Sequence, residues 1–181
     1  VISVERLLSP NTQGIEDEAL FLRGRIEQLI RLFNKRFPIY VLITKCDQIY
    51  GFESWIHHLS ENQISQVMGY TQADLDNEID TEYFLNEAFS SILSRLKQSR
   101  IKLIDSHPEM ASKLLIFPAE LENIHPKLEI FLNACLGTNP YLELPLLRGI
   151  FFSSSRQDGG AKSQLLSQIL AEPKHEETHT G

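Results

Sequence analysis

Between Phe37 and Asp47 the chain reads Phe37-Pro38-Ile39-Tyr40-Val41-Leu42-Ile43-Thr44-Lys45-Cys46-Asp47, and this stretch restricts the fold more than any other. From Ile39 to Thr44 every residue is β-branched, aromatic or leucine, and none is charged. A half-solvated strand would alternate apolar and polar side chains, whereas a continuous run suits a parallel strand buried on both faces. Parallel neighbours need long crossover connections, usually helical. The run therefore predicts strands and helices alternating along the chain.

The end of the run carries the chemistry. Open α/β sheets bind ligands just beyond the carboxyl ends of their strands, and there this chain spells Thr44-Lys45-Cys46-Asp47. A carboxylate at Asp47 can accept from both the ring N–H and the exocyclic amine of guanine, an edge adenine does not present. The aliphatic stem of Lys45 can lie along the base while its ammonium reaches the ribose side. The plainer reading makes Asp47 a cap of the following turn and leaves Lys45 solvated.

The partner motif is missing. No Gly-x-x-x-x-Gly-Lys-Ser/Thr occurs in the 181 residues, so nothing here cradles phosphates with backbone N–H groups and a lysine. The chain opens on Val1-Ile2-Ser3-Val4, which reads as a cut strand. A fragment of a larger domain is the expectation, with no catalytic residue of its own and no hydrolysis by the piece as it stands.

Composition narrows the class. With 42% apolar and 23% charged residues the chain is globular in character. A net charge of −7 without a basic stripe argues against nucleic acid as a partner. Cys46 and Cys135 lie far apart without metal-ligand spacing and suit a reducing compartment. No apolar run reaches the ~18 residues a membrane span needs, and there is no signal-peptide pattern.

Helical periodicity predicts a helix over about residues 15–35, capped by Asn11 or Thr12, and a shorter one on Phe52, Trp55, Ile56 and Leu59. Ile64 and Val67 suggest another. Residues 70–81 are acidic and polar and read as a loop or insertion. Thr81 then caps a helix over 82–105. Leu114-Leu115-Ile116-Phe117 reads as a short strand ending at Pro118, followed by a helix over 121–136 that Gly137 stops. A third strand spans 149–153, a last helix 162–170, and residues 172–181 form a flexible polar tail. The predicted fold is a three-layer α/β domain with a mostly parallel sheet, occupying residues 1–171.

Two loops compete as a second base-contacting element. Ser153-Ser154-Ser155 follows the third strand, and Phe117-Pro118-Ala119 follows the first strand after Thr-Lys-x-Asp; sequence leaves both open. Two histidine clusters read as background, so no metal site is expected. His175-Glu176-Glu177-Thr178-His179 spells a zinc-protease signature, but it lies in the tail behind Pro173 with no apolar flank. His57 and His58 are adjacent and do not share a helix face. His107-Pro108-Glu109 and His125-Pro126 read as helix-boundary punctuation.

Taken together, several segments resemble the cytoplasmic domain of the IcmF/TssM family, the large inner-membrane component of type VI secretion machines, with a related accessory in some type IV systems. They are residues 1–8, Phe37 to Asp47, Gly51-Phe52, Val67-Met68-Gly69-Tyr70, Phe117-Pro118, Asn139-Pro140-Tyr141, and Leu146-Leu147-Arg148-Gly149-Ile150-Phe151-Phe152-Ser153-Ser154. The resemblance implies a G-protein-like domain on the cytoplasmic side of the bacterial inner membrane, with the phosphate loop and transmembrane helices outside this chain. It implies a scaffold role alongside a DotU/TssL-type inner-membrane partner and the baseplate. It carries nucleotide-binding positions onto Thr44, Lys45 and Asp47, and onto Ser153 and Ser154. GTP or GDP with Mg²⁺ is then expected only in the intact domain. Thr44 stands where Asn is usual, and a hydroxyl cannot reproduce the two-ended hydrogen bonding of an amide.

Overall fold

The uncharged run forms a seven-residue strand, β2 (Pro38–Thr44), in a computed structural model that describes residues 1–59, 68–72, 80–137 and 145–154. β1 (Ile2–Ser3), β3 (Gly69–Thr71) and β4 (Leu146–Phe152) complete a four-stranded sheet of order β1-β2-β4-β3. β1 and β4 flank β2 in parallel, with Ile2 opposite Ile43 and Val41 opposite Ile150. β3 runs antiparallel to β4, so the sheet is mixed.

Side chains alternate across a strand, and that alternation shows which side of the sheet is covered. Val41, Ile43, Ile150 and Phe152 share one face and are all buried. On the other face Tyr40 stays 57% exposed and stacks on Phe151 at 6.2 Å. Among the described residues, then, β2 is closely covered on one face rather than on both.

Six helices accompany the sheet in the described residues: α1 (Val4–Leu8), α2 (Thr12–Phe33), α3 (Phe52–His57), α4 (Thr81–Ser106), α5 (Ala111–Glu122) and α6 (His125–Leu136). Two 3-10 turns, Cys46–Gln48 and Pro108–Met110, sit among them. α2 begins where its cap dictates, since the Asn11 side chain accepts from the Gly14 N–H at 3.1 Å. It ends on Asn34 in the left-handed conformation. α4 is the central buttress. Its buried stripe includes Phe84, Leu85, Ala88, Phe89 and Ile92; Phe89 meets Phe152 edge-on at 6.0 Å and Phe84 meets Tyr70 at 5.5 Å. α2 lies against α6, where the Arg23 guanidinium donates to the Ala134 carbonyl.

Several expectations need correcting. Residues 114–117 are helical and belong to α5, which carries Pro118 in its interior. Leu114, Phe117, Pro118 and Leu121 are buried at helical spacing, while Leu115 and Ile116 point outward. The helix expected over 121–136 is broken at Asn123 and Ile124, because Pro126 suits the first turn of a new helix. Gly137 does close that helix, its N–H bonding to the Asn133 carbonyl at 2.9 Å. Asp80, not Thr81, caps α4, its carboxylate accepting from the Tyr83 N–H. Tyr70 and Thr71 belong to β3 rather than to a loop. Ile64, Val67, most of the 70–81 segment, the helix expected over 162–170 and the tail lie outside the described residues.

Pro118 poses a problem that the fold solves. A proline inside a helix leaves the carbonyl four residues earlier without its donor, and that carbonyl belongs to Leu114. The Trp55 indole Nε1 donates to the Leu114 oxygen at 3.3 Å. Trp55 is buried against Phe117, at 5.6 Å between ring centres, and Phe117 in turn meets Phe52 edge-on. α3 is thus pinned to α5 at the point where α5 lacks a backbone bond.

Candidate functional site

The carboxyl ends of β2 and β4 lie side by side, and the polar residues of both loops meet there. Past Thr44 the backbone turns through Lys45, which holds the left-handed conformation at φ 58°, an uncommon state for a residue with a side chain. The turn swings the next three residues into the 3-10 segment Cys46–Gln48. Two backbone bonds fix this turn to the end of β4. The Ser153 N–H donates to the Ile43 carbonyl at 2.8 Å, and the Cys46 N–H donates to the Ser153 carbonyl at 3.1 Å.

Side chains complete the clasp. Ser154 Oγ donates to Asp47 Oδ1 at 2.8 Å. Lys45 Nζ lies 2.7 Å from Glu5 Oε2, tying the turn to α1 just beyond β1. The hydrogen bond from Lys45, reinforced by its charge, holds the Glu5 carboxyl below the usual carboxylate range. Cys46 plugs the turn into the core: it is fully buried and its thiol contacts the Ile43 carbonyl. Burial pushes that thiol up to about 12, the Ser153 backbone bond opposing and the Asp47 charge adding to the shift. Burial raises Cys135 to about 11. Both thiols stay protonated near neutrality and lack nucleophilic character.

Lys45, Asp47, Ser153 and Ser154 therefore converge, and Thr44 stands at the strand end beside them, opposite Ser3. Phe117-Pro118-Ala119 sits inside α5 rather than in a loop, with Phe117 and Pro118 buried and Phe117 packed on Trp55. Of the two competing segments, the serine loop is the one hydrogen-bonded to Asp47, through Ser154. Asp47 is half-buried, and a carboxylate offers about four acceptor positions. The bond from Ser154 thus leaves capacity for an external donor pair. Glu5 was not legible as a member of this cluster, because its place depends on the pairing of β1 with β2.

A family model for the IcmF-related N-terminal domain matches residues 1–180. A curated relative, the type VI secretion system component TssM1 of Pseudomonas aeruginosa, is 32% identical over 173 residues. That match covers 93% of this chain and 16% of the relative, so the chain spans a small part of the longer protein's length. No solved structure matches. Among the described residues no helix is long and apolar enough to cross a membrane.

Proposed function

Since the chain belongs to the IcmF-related family, we propose that it is an assembly scaffold within a type VI secretion complex, part of a three-layer, G-protein-like domain. In this reading the domain faces the cytoplasm from the inner membrane, held there by segments outside this chain. Its partners are a DotU/TssL-type inner-membrane protein and components of the baseplate.

The observation that carries the reading is the outer side of α2. Phe21, Leu29 and Leu32 are 62%, 43% and 75% exposed on a helix whose opposite side is packed, and Phe33, at its last position, is 63% exposed. Phe21 and Leu32 stand about three turns apart and project in nearly the same direction. The Arg25 guanidinium lies over the Phe21 ring at 5.2 Å. Grouped large apolar side chains on an ordered helix are a common mark of interaction surfaces, and aromatic and arginine side chains are favoured interface anchors.

The test is the affinity of the intact protein for its inner-membrane partner. Leu32→Asp with Phe33→Asp, both outside the core, is expected to weaken binding by about tenfold or more, because a charged pair must then be desolvated at the contact. Helix content is expected to stay as in the wild type. Unchanged affinity for every candidate partner would sink the scaffold reading.

A second reading, a guanine-nucleotide switch in the intact domain, is favoured by the Ser154–Asp47 bond. That bond orients a carboxylate at the carboxyl ends of two parallel strands, β2 and β4, as base recognition requires. Thr44, Lys45, Asp47, Ser153 and Ser154 would hold the base; the phosphates and Mg²⁺ would need residues from elsewhere. This reading requires fluorescent GDP to bind the intact protein in preference to ADP, and Asp47→Ala to abolish that preference.

A further inference from the structure

Three side chains from separate segments meet at the corner where α3 ends against the α4–α5 connection. His58 closes α3, His107 closes α4, and Glu109 lies in the 3-10 turn Pro108–Met110. The two imidazole rings are 4.1 Å apart between centres and inclined by 62°. One ligand atom from each of His58, His107 and Glu109 lies within 4.8 Å of the other two. His107 Nδ1 is 3.4 Å from Glu109 Oε1.

The hydrogen bonding prepares one ring for coordination. His58 Nδ1 sits 2.7 Å from the Ser54 carbonyl. A carbonyl only accepts, so in the neutral ring the proton sits on Nδ1 and the lone pair on Nε2. Metal-ligating histidines are oriented in this way, one ring N–H given to a carbonyl or carboxylate while the other nitrogen binds. Both histidines are half-buried, which restrains the rings, and Glu109 is exposed, which leaves the corner open to solvent.

We propose that His58, His107 and Glu109 form a site for one divalent transition-metal ion of the zinc class, with water completing the coordination. Two imidazoles and a carboxylate suit Zn²⁺ and its neighbours, whereas Mg²⁺ and Ca²⁺ prefer all-oxygen shells. Tetrahedral ligands at about 2.0–2.2 Å from zinc lie roughly 3.3–3.5 Å from one another. The three donors must therefore draw in by at most about 1.5 Å, within the reach of the exposed Glu109 side chain and small rotations of the two rings. A bound ion would link the end of α3 to the start of α5, at the corner Trp55 already pins.

The experiment is a Zn²⁺ titration of metal-stripped protein by calorimetry, with Co²⁺ absorption reporting coordination. All forms carry His175→Gln and His179→Gln, which remove the tail's own metal-binding pattern. One equivalent is expected to bind and to raise the thermal midpoint. His58→Gln and His107→Gln are each expected to weaken binding about tenfold or more and to abolish the thermal shift. Glu109→Gln, at an exposed position that leaves the fold untouched, is expected to weaken binding in the same direction. Failure to bind Zn²⁺ more tightly than about 100 μM, or an affinity that none of the three substitutions moves beyond about twofold, would overturn the proposal.

Discussion

Gly51→Ala is expected to destabilise the protein by about 3 kcal/mol, from two additive causes. Gly51 holds φ +87°, and a β-carbon there would stand 2.6 Å from the Lys113 carbonyl oxygen and 2.9 Å from the Phe117 β-carbon. The left-handed conformation costs an L-residue about 1–2 kcal/mol. Overpacking against atoms that cannot retreat costs about 1–3 kcal/mol more. Neither contact is the far end of a flexible side chain: one is α5 backbone, the other the root of a core residue. Gly24→Ala makes the contrast. A β-carbon at that exposed position of α2 meets no atom within 4 Å beyond the adjoining helix backbone, so the substitution should stabilise by about 0.5–1 kcal/mol through helix propensity. Urea unfolding of both variants, compared at unchanged m-value, checks the pair. A Gly51→Ala loss below about 1 kcal/mol would mean that the α3–α5 corner is looser than described.

Trp55→Phe is expected to cost about 2–3 kcal/mol, and the reason lies partly in Pro118. The substitution removes the donor to the Leu114 carbonyl, a group that the proline already deprives of its helical partner. An orphaned buried acceptor costs about 1–3 kcal/mol, and the smaller ring leaves space beside Phe117. In a Pro118→Ala background residue 118 regains an N–H and can serve the Leu114 oxygen itself. There Trp55→Phe should cost about 1 kcal/mol less, which a double-mutant cycle reads as coupling. Equal costs in the two backgrounds would show that Trp55 acts by volume alone.

The same proline explains where the sequence misled. Leu114-Leu115-Ile116-Phe117 followed by proline has the composition of a buried strand, and four residues are too few to tell a strand from a helix by period. Only the folded arrangement supplies the indole that lets a helix run through Pro118. β2, α2 and α4 were legible because their patterns are long: an unbroken β-forming run, and apolar stripes repeated over several turns. β3 was not, since Gly69-Tyr70-Thr71 has no period to read. Its place depends on pairing with β4 and on the Arg95 guanidinium, which donates to the Gly69 carbonyl at 2.6 Å.

At the sheet edge the sequence named most of the cluster but could not assemble it. Thr-Lys-x-Asp is local and readable, whereas the meeting of Ser154 with Asp47 requires β2 and β4 to be neighbours with β3 outside them. Strand order is not written in either segment. Nor is the meeting of His58 with His107, one read as part of a short helix and the other as a helix boundary, until α3 is laid against the α4–α5 corner.

Scaffold and switch differ most sharply in what they ask of Asp47. The decisive measurement is the affinity of the intact protein for its inner-membrane partner, with and without guanine nucleotide, for the wild type and for Asp47→Ala. If the chain works as a scaffold through the exposed side of α2, Asp47→Ala binds within about twofold of the wild type and nucleotide changes neither value. A nucleotide-dependent affinity that Asp47→Ala removes would contradict the scaffold and make the sheet edge the working site.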